Sequence, residues 1–196
     1  MRVRDENKEK AIREKAIAMI VREGLDGFGV NKLAKAAGVS PATIYIYYKD
    51  RDDLILQIGQ EIATDLMAHS LANFDPDAHF AEGLKRQWIN RAAYFMQHPV
   101  EVAFIEQIRY SHYNEKIHAL MKERFSEIMG RFVNNAIERK ELVQLPFEVF
   151  WSVAYAPLYQ LIKFHTQGQS YVNKHFEISH EVMMQTLQLV LKALKP

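Results

Sequence analysis

Leu33-Ala34-Lys35-Ala36-Ala37-Gly38-Val39-Ser40-Pro41-Ala42-Thr43-Ile44-Tyr45-Ile46-Tyr47-Tyr48 reads as two short helices joined by a three-residue turn. Val30, Leu33, Ala34 and Ala37 share one side of the first helix. Gly38 supplies the positive φ that such a turn needs. Val39 plugs the gap between the helices, Ser40 is a good N-cap, and Pro41 suits the first helical position. Two helices around a tight turn form a helix-turn-helix. At 100° per residue, Ile44 and Tyr48 point to the core and Ala42 and Ile46 point away. Thr43 and Tyr47 fall on one flank, and Tyr45 on the other. A merely solvated helix would carry charges on its outer side. In a major groove, Ile46 and Ala42 can touch thymine methyls. The hydroxyls of Thr43, Tyr45 and Tyr47 can reach phosphates, and Thr43 a base edge. The competing reading packs Ile46 and the tyrosines against neighbouring helices.

Outward from this stretch, apolar periodicity is helical almost throughout, and the chain reads as all-α with about nine helices. A first helix spans roughly Asn7 to Glu23 with Ile12, Ala16, Met19 and Ile20 as one stripe, and ends at Gly24. Gly27-Phe28-Gly29 precedes the second helix, with glycine as its N-cap and Phe28 as a staple between helices one and two. A fourth helix starts at Asp50, with the stripe Leu54, Ile55, Ile58, Ile62 and Leu66. Five more follow. Asp75 caps one that has Pro76 in its first turn, and His98-Pro99 is a break. A long helix covers Asn114 to Arg139. Leu145-Pro146 opens the next, which contains Pro157 and is expected to kink there. Residues 168–178 form a loop, and Ser179 to Lys195 closes the chain.

The 196 residues are 48% apolar, enough for a sizeable core, and include no cysteine. Disulfides and thiolate metal sites are therefore excluded. The start of the chain lacks the apolar stretch of a signal peptide, and no uncharged apolar run is long enough for a membrane span. A cytoplasmic protein fits. The net charge of +1 does not by itself suggest nucleic acid.

The stretch from Leu33 to Ser40, and then Thr43-Ile44-Tyr45-Ile46-Tyr47-Tyr48-Lys49-Asp50-Arg51-Asp52-Asp53-Leu54, resembles the N-terminal signature of the TetR family of bacterial transcriptional regulators. With helix one, the resemblance covers roughly residues 8–57. It implies a three-helix DNA-binding domain over residues 1–52 and a helical ligand-binding and dimerisation domain over residues 53–196. Position by position, it implies that Asn31 and Lys32 meet phosphates or a nearby base. Ser40, Pro41, Ala42 and Thr43 would face base edges, with Ile46 beside them. Tyr45 and Tyr47 would bind phosphates, and Lys49 and Arg51 would anchor the DNA backbone. Arg2 and Arg4 could form a minor-groove arm. The sequence departs from the family where Gly29 replaces the usual hydroxyl residue before helix two, so a phosphate contact is lost there.

The resemblance also implies a homodimer through the last two helices, a palindromic double-stranded operator, and a repressor released by a small-molecule effector. Dimerisation has a physical reason, since two half-sites about 34–36 Å apart multiply the few base pairs one helix reads. The middle helices are rich in aromatic residues. Trp88, Tyr110, Trp151, Tyr155 and Tyr159 are candidate ligand-binding residues for a partly apolar or aromatic effector, set against the plainer reading that each is core. No histidine pair has the spacing of a helical metal clamp, and no cofactor, metal or catalytic residue is expected. Two alternatives stay open. One is a DNA binder controlled by a protein partner. The other is an all-helical enzyme or lipid-binding protein, although no nucleophile–base pair is recognisable.

Overall fold

In the computed structural model, residues 5–196 are described, with the backbone alone at positions 120 and 121. Arg2 and Arg4 lie outside the described residues. Among these residues there are nine helical elements and no strand: α1 Glu6–Gly27, α2 Val30–Ala36, α3 Pro41–Tyr47, α4 Arg51–Ser70, α5 Phe80–Gln97, α6 Pro99–Arg109, α7 Tyr113–Glu138, α8 Phe147–Gln167 and α9 His180–Leu194. Gly24 breaks α1 with φ 74°, so counting its two segments apart gives ten. No helix among the described residues is long and apolar enough to cross a membrane.

The chain forms two compact units, and the cut between them falls inside α4 and α7. One unit runs to Asp65 and adds His98–Lys122; the other comprises Leu66–Gln97 and Glu123–Pro196. This is a division by packing, whereas the boundary at residues 52 and 53 is one of expected task. In the first unit, Ile12, Ala16 and Ile20 of α1 share a core with Leu33, Ile44, Leu54, Ile58 and Phe104. Each fully buried aliphatic side chain contributes about 1.5–3 kcal/mol, which is how helices as short as α2 and α3 persist. Local chemistry fixes their ends. Ser40 Oγ accepts from Thr43 N at 3.2 Å, Gly38 turns at φ 66°, and Asp50 Oδ1 accepts from Asp53 N at 2.8 Å.

The second unit is held by α5, α8 and α9. Trp88, Phe132, Phe150, Ala154, Leu158 and Leu187 are buried together. Trp88 Nε1 donates to the carbonyl of Ala154 at 2.8 Å, tying α5 to α8. Helix α8 runs through Pro157 as a single element. The expected helix start at Pro76 is corrected: Asp75 Oδ1 accepts from Asp77 N within a turn, and α5 begins at Phe80. The reason is a distant cap. Glu141 Oε2 accepts from Phe80 N at 2.8 Å, and Glu141 Oε1 meets His79 Nδ1 at 2.6 Å. The Phe80 hydrogen bond, followed by the His79 contact, holds the Glu141 carboxyl below its usual range. Arg131 grips Asp77, and Arg139 donates to the carbonyls of Asp77 and Ala78 at 3.0 and 2.7 Å, so α7 and the residue just after it hold the turn at 77–78.

Candidate nucleic-acid interface

Helix α3 is fixed by its capped start at Ser40 and by the burial of its inner side. Ile44 and Tyr48 are 1% and 4% exposed, as the helical spacing predicts. On the outer side, Ser40, Pro41, Ala42, Tyr45 and Ile46 are exposed, and Thr43 is half-buried. Tyr45 is 54% and Ile46 47% exposed, which is unusual for large apolar side chains on so short a helix. The Ser40 and Thr43 hydroxyls lie 2.9 Å apart. Asn31, Lys32, Lys35 and Lys49 are exposed on the flanking segments. Lys32 Nζ donates to the Gly27 carbonyl at 3.1 Å and faces Glu23 at 3.6 Å. The arrangement is an apolar, hydroxyl-bearing ridge rimmed by lysines, without a negative charge on the ridge itself. Such a surface suits base edges and methyl groups in a groove, with ammonium groups at the phosphates.

Two expected phosphate contacts are placed elsewhere. Tyr47 is buried, and its hydroxyl donates to the Asp5 carbonyl at 3.1 Å and accepts from Asp5 N at 3.2 Å. It fastens the start of α1 to α3. Arg51 also turns inward. Its Nη2 donates to the Leu25 carbonyl at 2.5 Å, Nε to the Phe28 carbonyl at 3.2 Å, and Nη1 to the Tyr113 hydroxyl at 3.0 Å. The guanidinium carbon sits 5.7 Å from the centre of the Phe28 ring. These carbonyls lie at the C-terminal end of α1 and its cap, where helical acceptors run short of intrahelical donors; the Leu25 carbonyl also accepts from Phe28 N at 3.3 Å. Arg51 therefore shapes the connection that aims α2. Tyr113 completes the arrangement by donating to Asp52 Oδ1 at 2.6 Å. That hydrogen bond, and then the charge of Arg51, lowers the Asp52 pKa; burial and the same carboxylate push Tyr113 up to about 12. Tyr113 and Asp52 have no signal in the helix-turn-helix motif, because their roles depend on a contact 61 residues apart.

Of the candidate ligand residues, Trp88, Trp151, Tyr155 and Tyr159 lie in the second unit, whereas Tyr110 lies in the first and is 89% exposed. Trp88 and Tyr155 are fully buried; Trp151 and Tyr159 are half-buried. The Trp151 and Tyr155 rings are 4.3 Å apart. Beside these rings and Tyr159 sits Arg91, a functional candidate that residue-type composition does not single out. Its guanidinium carbon is 4.9 Å from the Tyr155 ring and 5.3 Å from the Trp151 ring, and Nη1 donates to the Tyr159 hydroxyl at 2.8 Å. The helical register could have revealed it, since Leu84, Trp88, Arg91 and Ala92 form one stripe with a charge set in it.

A family model described as bacterial regulatory proteins, tetR family, matches residues 12–58. An uncharacterized HTH-type transcriptional regulator of Haemophilus influenzae is 32% identical over 89 residues, covering 45% of this chain and 48% of that protein. The fatty acid metabolism regulator protein of Bacillus subtilis is 37% identical over 46 residues, 24% of each chain. The chain thus spans about half or less of the length of the curated relatives it matches. A solved TetR-family transcription regulator from Marinobacter aquaeolei matches all of this chain and 99% of its own, with a TM-score of 0.78 and 26% identity. Another, from Haemophilus influenzae, shares the fold at a TM-score of 0.77 and 20% identity, over 97% and 98% of the two chains.

Proposed function

Because the chain belongs to the TetR family of bacterial regulatory proteins, we propose that it is a cytoplasmic, homodimeric repressor that binds a palindromic operator and leaves it when a small, partly apolar or aromatic effector binds. The observation that carries this reading is the exposed, uncharged outer side of α3, held rigidly between a capped start and a buried Tyr48. Ser40, Pro41, Ala42, Thr43, Tyr45 and Ile46 meet the bases and sugar edges; Asn31, Lys32 and Lys49 meet phosphates. Tyr47 and Arg51 act from within, by holding α1, α2 and α3 in register. DNA contact is assigned to residues 1–52 and effector binding and dimerisation to residues 53–196. The 63% exposure of Leu189 on α9 and the 45% exposure of Val149 on α8 support an interface through the last two helices. The family is one of transcription regulators, which supports a regulatory over an enzymatic task.

Effector binding shifts a population between two arrangements, and it can weaken operator binding only by as much as its affinities for the two differ. Helix α4, which spans Arg51–Ser70, is the covalent route from one task to the other. The test is selection from random duplexes at a fixed salt concentration, with wild type and the Tyr45→Ala, Ile46→Ala double variant. A palindrome enriched by wild type and lost in the variant is the expected outcome. A wild type that enriches nothing, or a variant that enriches the same palindrome, overturns the reading.

A further inference from the structure

We infer that Arg91 anchors an anionic effector: a carboxylate carried on an apolar or aromatic body, seated between α5 and α8 against the guanidinium, the Tyr159 hydroxyl and the ring of Trp151. This deepens the proposed function and rests on its assignment of a small ligand to residues 53–196.

Three observations carry it. Arg91 is a cation 5% exposed in the core of the second unit, and among the described residues it forms no ion pair with a carboxylate. Buried charges ordinarily have a partner of opposite sign or several acceptors. Two less buried arginines have fuller sets of acceptors. Arg51 has two carbonyls, a hydroxyl and a carboxylate; Arg139 has two carbonyls and Glu141. Arg91 has one hydroxyl and two ring faces, and its Nε is buried with no hydrogen-bond partner among the described residues.

Second, the donors converge. Tyr159 accepts from Arg91, so its own proton remains for another acceptor. The Tyr155 proton is already given to Gln87 Oε1 at 2.8 Å. A planar carboxylate can take two parallel hydrogen bonds from a guanidinium fork, and this geometry distinguishes it from a spherical anion. Third, the surroundings are apolar rings. Trp151 packs against Tyr155, and Phe95 lies 5.3 Å from Tyr159. Trp151, Tyr159 and Phe95 are only half-buried, so the side chains that separate Arg91 from solvent are themselves at the surface of the unit.

The test is calorimetric titration of the full chain without DNA, using 2-naphthoate and decanoate, each beside its primary amide. The amides keep the body and remove the charge. At least one acid is expected to bind roughly 10-fold or more tightly than its amide, because the uncharged group cannot satisfy the buried cation. Arg91→Met is expected to abolish that preference while leaving the melting temperature unchanged or raised, since it removes an uncompensated charge. Arg91→Lys keeps the charge without the fork and is expected to retain part of the preference. Wild type that binds acid and amide alike, or binds neither acid, overturns the proposal, and so does an acid preference that survives in Arg91→Met. Because no DNA is present, failure here is separable from failure of the operator selection.

Discussion

The outer side of α3 and the interior of the α5–α8 pair invert each other. On α3, where water would favour charge, Tyr45 and Ile46 stand exposed. Between α5 and α8, where packing would favour hydrocarbon, Arg91 is enclosed by rings. Each arrangement costs free energy in the isolated chain, and each cost disappears when a suitable molecule covers the one or neutralises the other. A departure from the usual partition of residues thus marks a binding surface by its sign. Exposed apolar groups point to a groove with methyls to meet, and a buried cation points to an anion. The clasp around Asp77 gives the contrast, because Arg131 and Arg139 lie nearer the surface there and each has carboxylate or carbonyl acceptors.

The largest effect expected from testing this comparison is in the core beside Arg91. Trp88→Ala removes a fully buried ring and its hydrogen bond to Ala154, and is expected to cost about 3–5 kcal/mol of unfolding free energy in urea. A loss below 1 kcal/mol would mean that the α5–α8 core is loosely packed, and the enclosure of Arg91 would lose its significance. Next, the Tyr45→Ala, Ile46→Ala double variant is expected to lose about 2–3 kcal/mol of operator affinity with thermal stability within about 0.5 kcal/mol of wild type. Equal losses in both measurements would return α3 to the packing interpretation.

Arg51→Ala is expected to lower unfolding free energy by about 2 kcal/mol, since two carbonyls lose a charged donor. A phosphate anchor would instead leave stability intact, and urea titration separates the two. Lys35→Gln is expected to reduce the slope of log affinity against log salt by about 1 if its ammonium meets a phosphate. The smallest effect concerns acid. Asp52 has its pKa held below 3.8 by Tyr113 and then Arg51. Its stabilising contribution is present above that value and is lost as pH falls through the lowered pKa. Melting temperatures of wild type and Asp52→Asn should therefore converge in the acid range below pH 3.8. A constant gap would remove Asp52 from the arrangement.

What was legible in the sequence was what neighbours in the chain decide. Gly38, Val39 and Ser40 lie within one turn, and both helices around them are where their spacing predicts. Tyr47 could not be assigned its inward hydroxyl, because Asp5 is 42 residues away. The start of α5 is hidden for the same reason: the local pattern points to Pro76, while Phe80 is capped by Glu141, 61 residues beyond it. Arg51 has the spacing of a phosphate anchor and the partners of a structural one, and only the fold brings Leu25, Phe28 and Tyr113 to it. The aromatic set divided in a similar way. Four of its five members fall in one unit and Tyr110 in the other, a separation that composition cannot express.

The link from Arg51 to Tyr113 has a consequence for how the chain is made. A ribosome adding roughly 5–20 residues per second needs about 3–12 seconds to pass from Arg51 to Tyr113, which lies 62 positions later. Throughout that interval the nascent helix-turn-helix is complete in sequence but lacks the hydroxyl that receives Arg51 Nη1. A fragment ending at residue 52 would remain permanently in that condition. The helix-turn-helix unit thus receives one of its hydrogen-bond partners from a segment synthesised well after it.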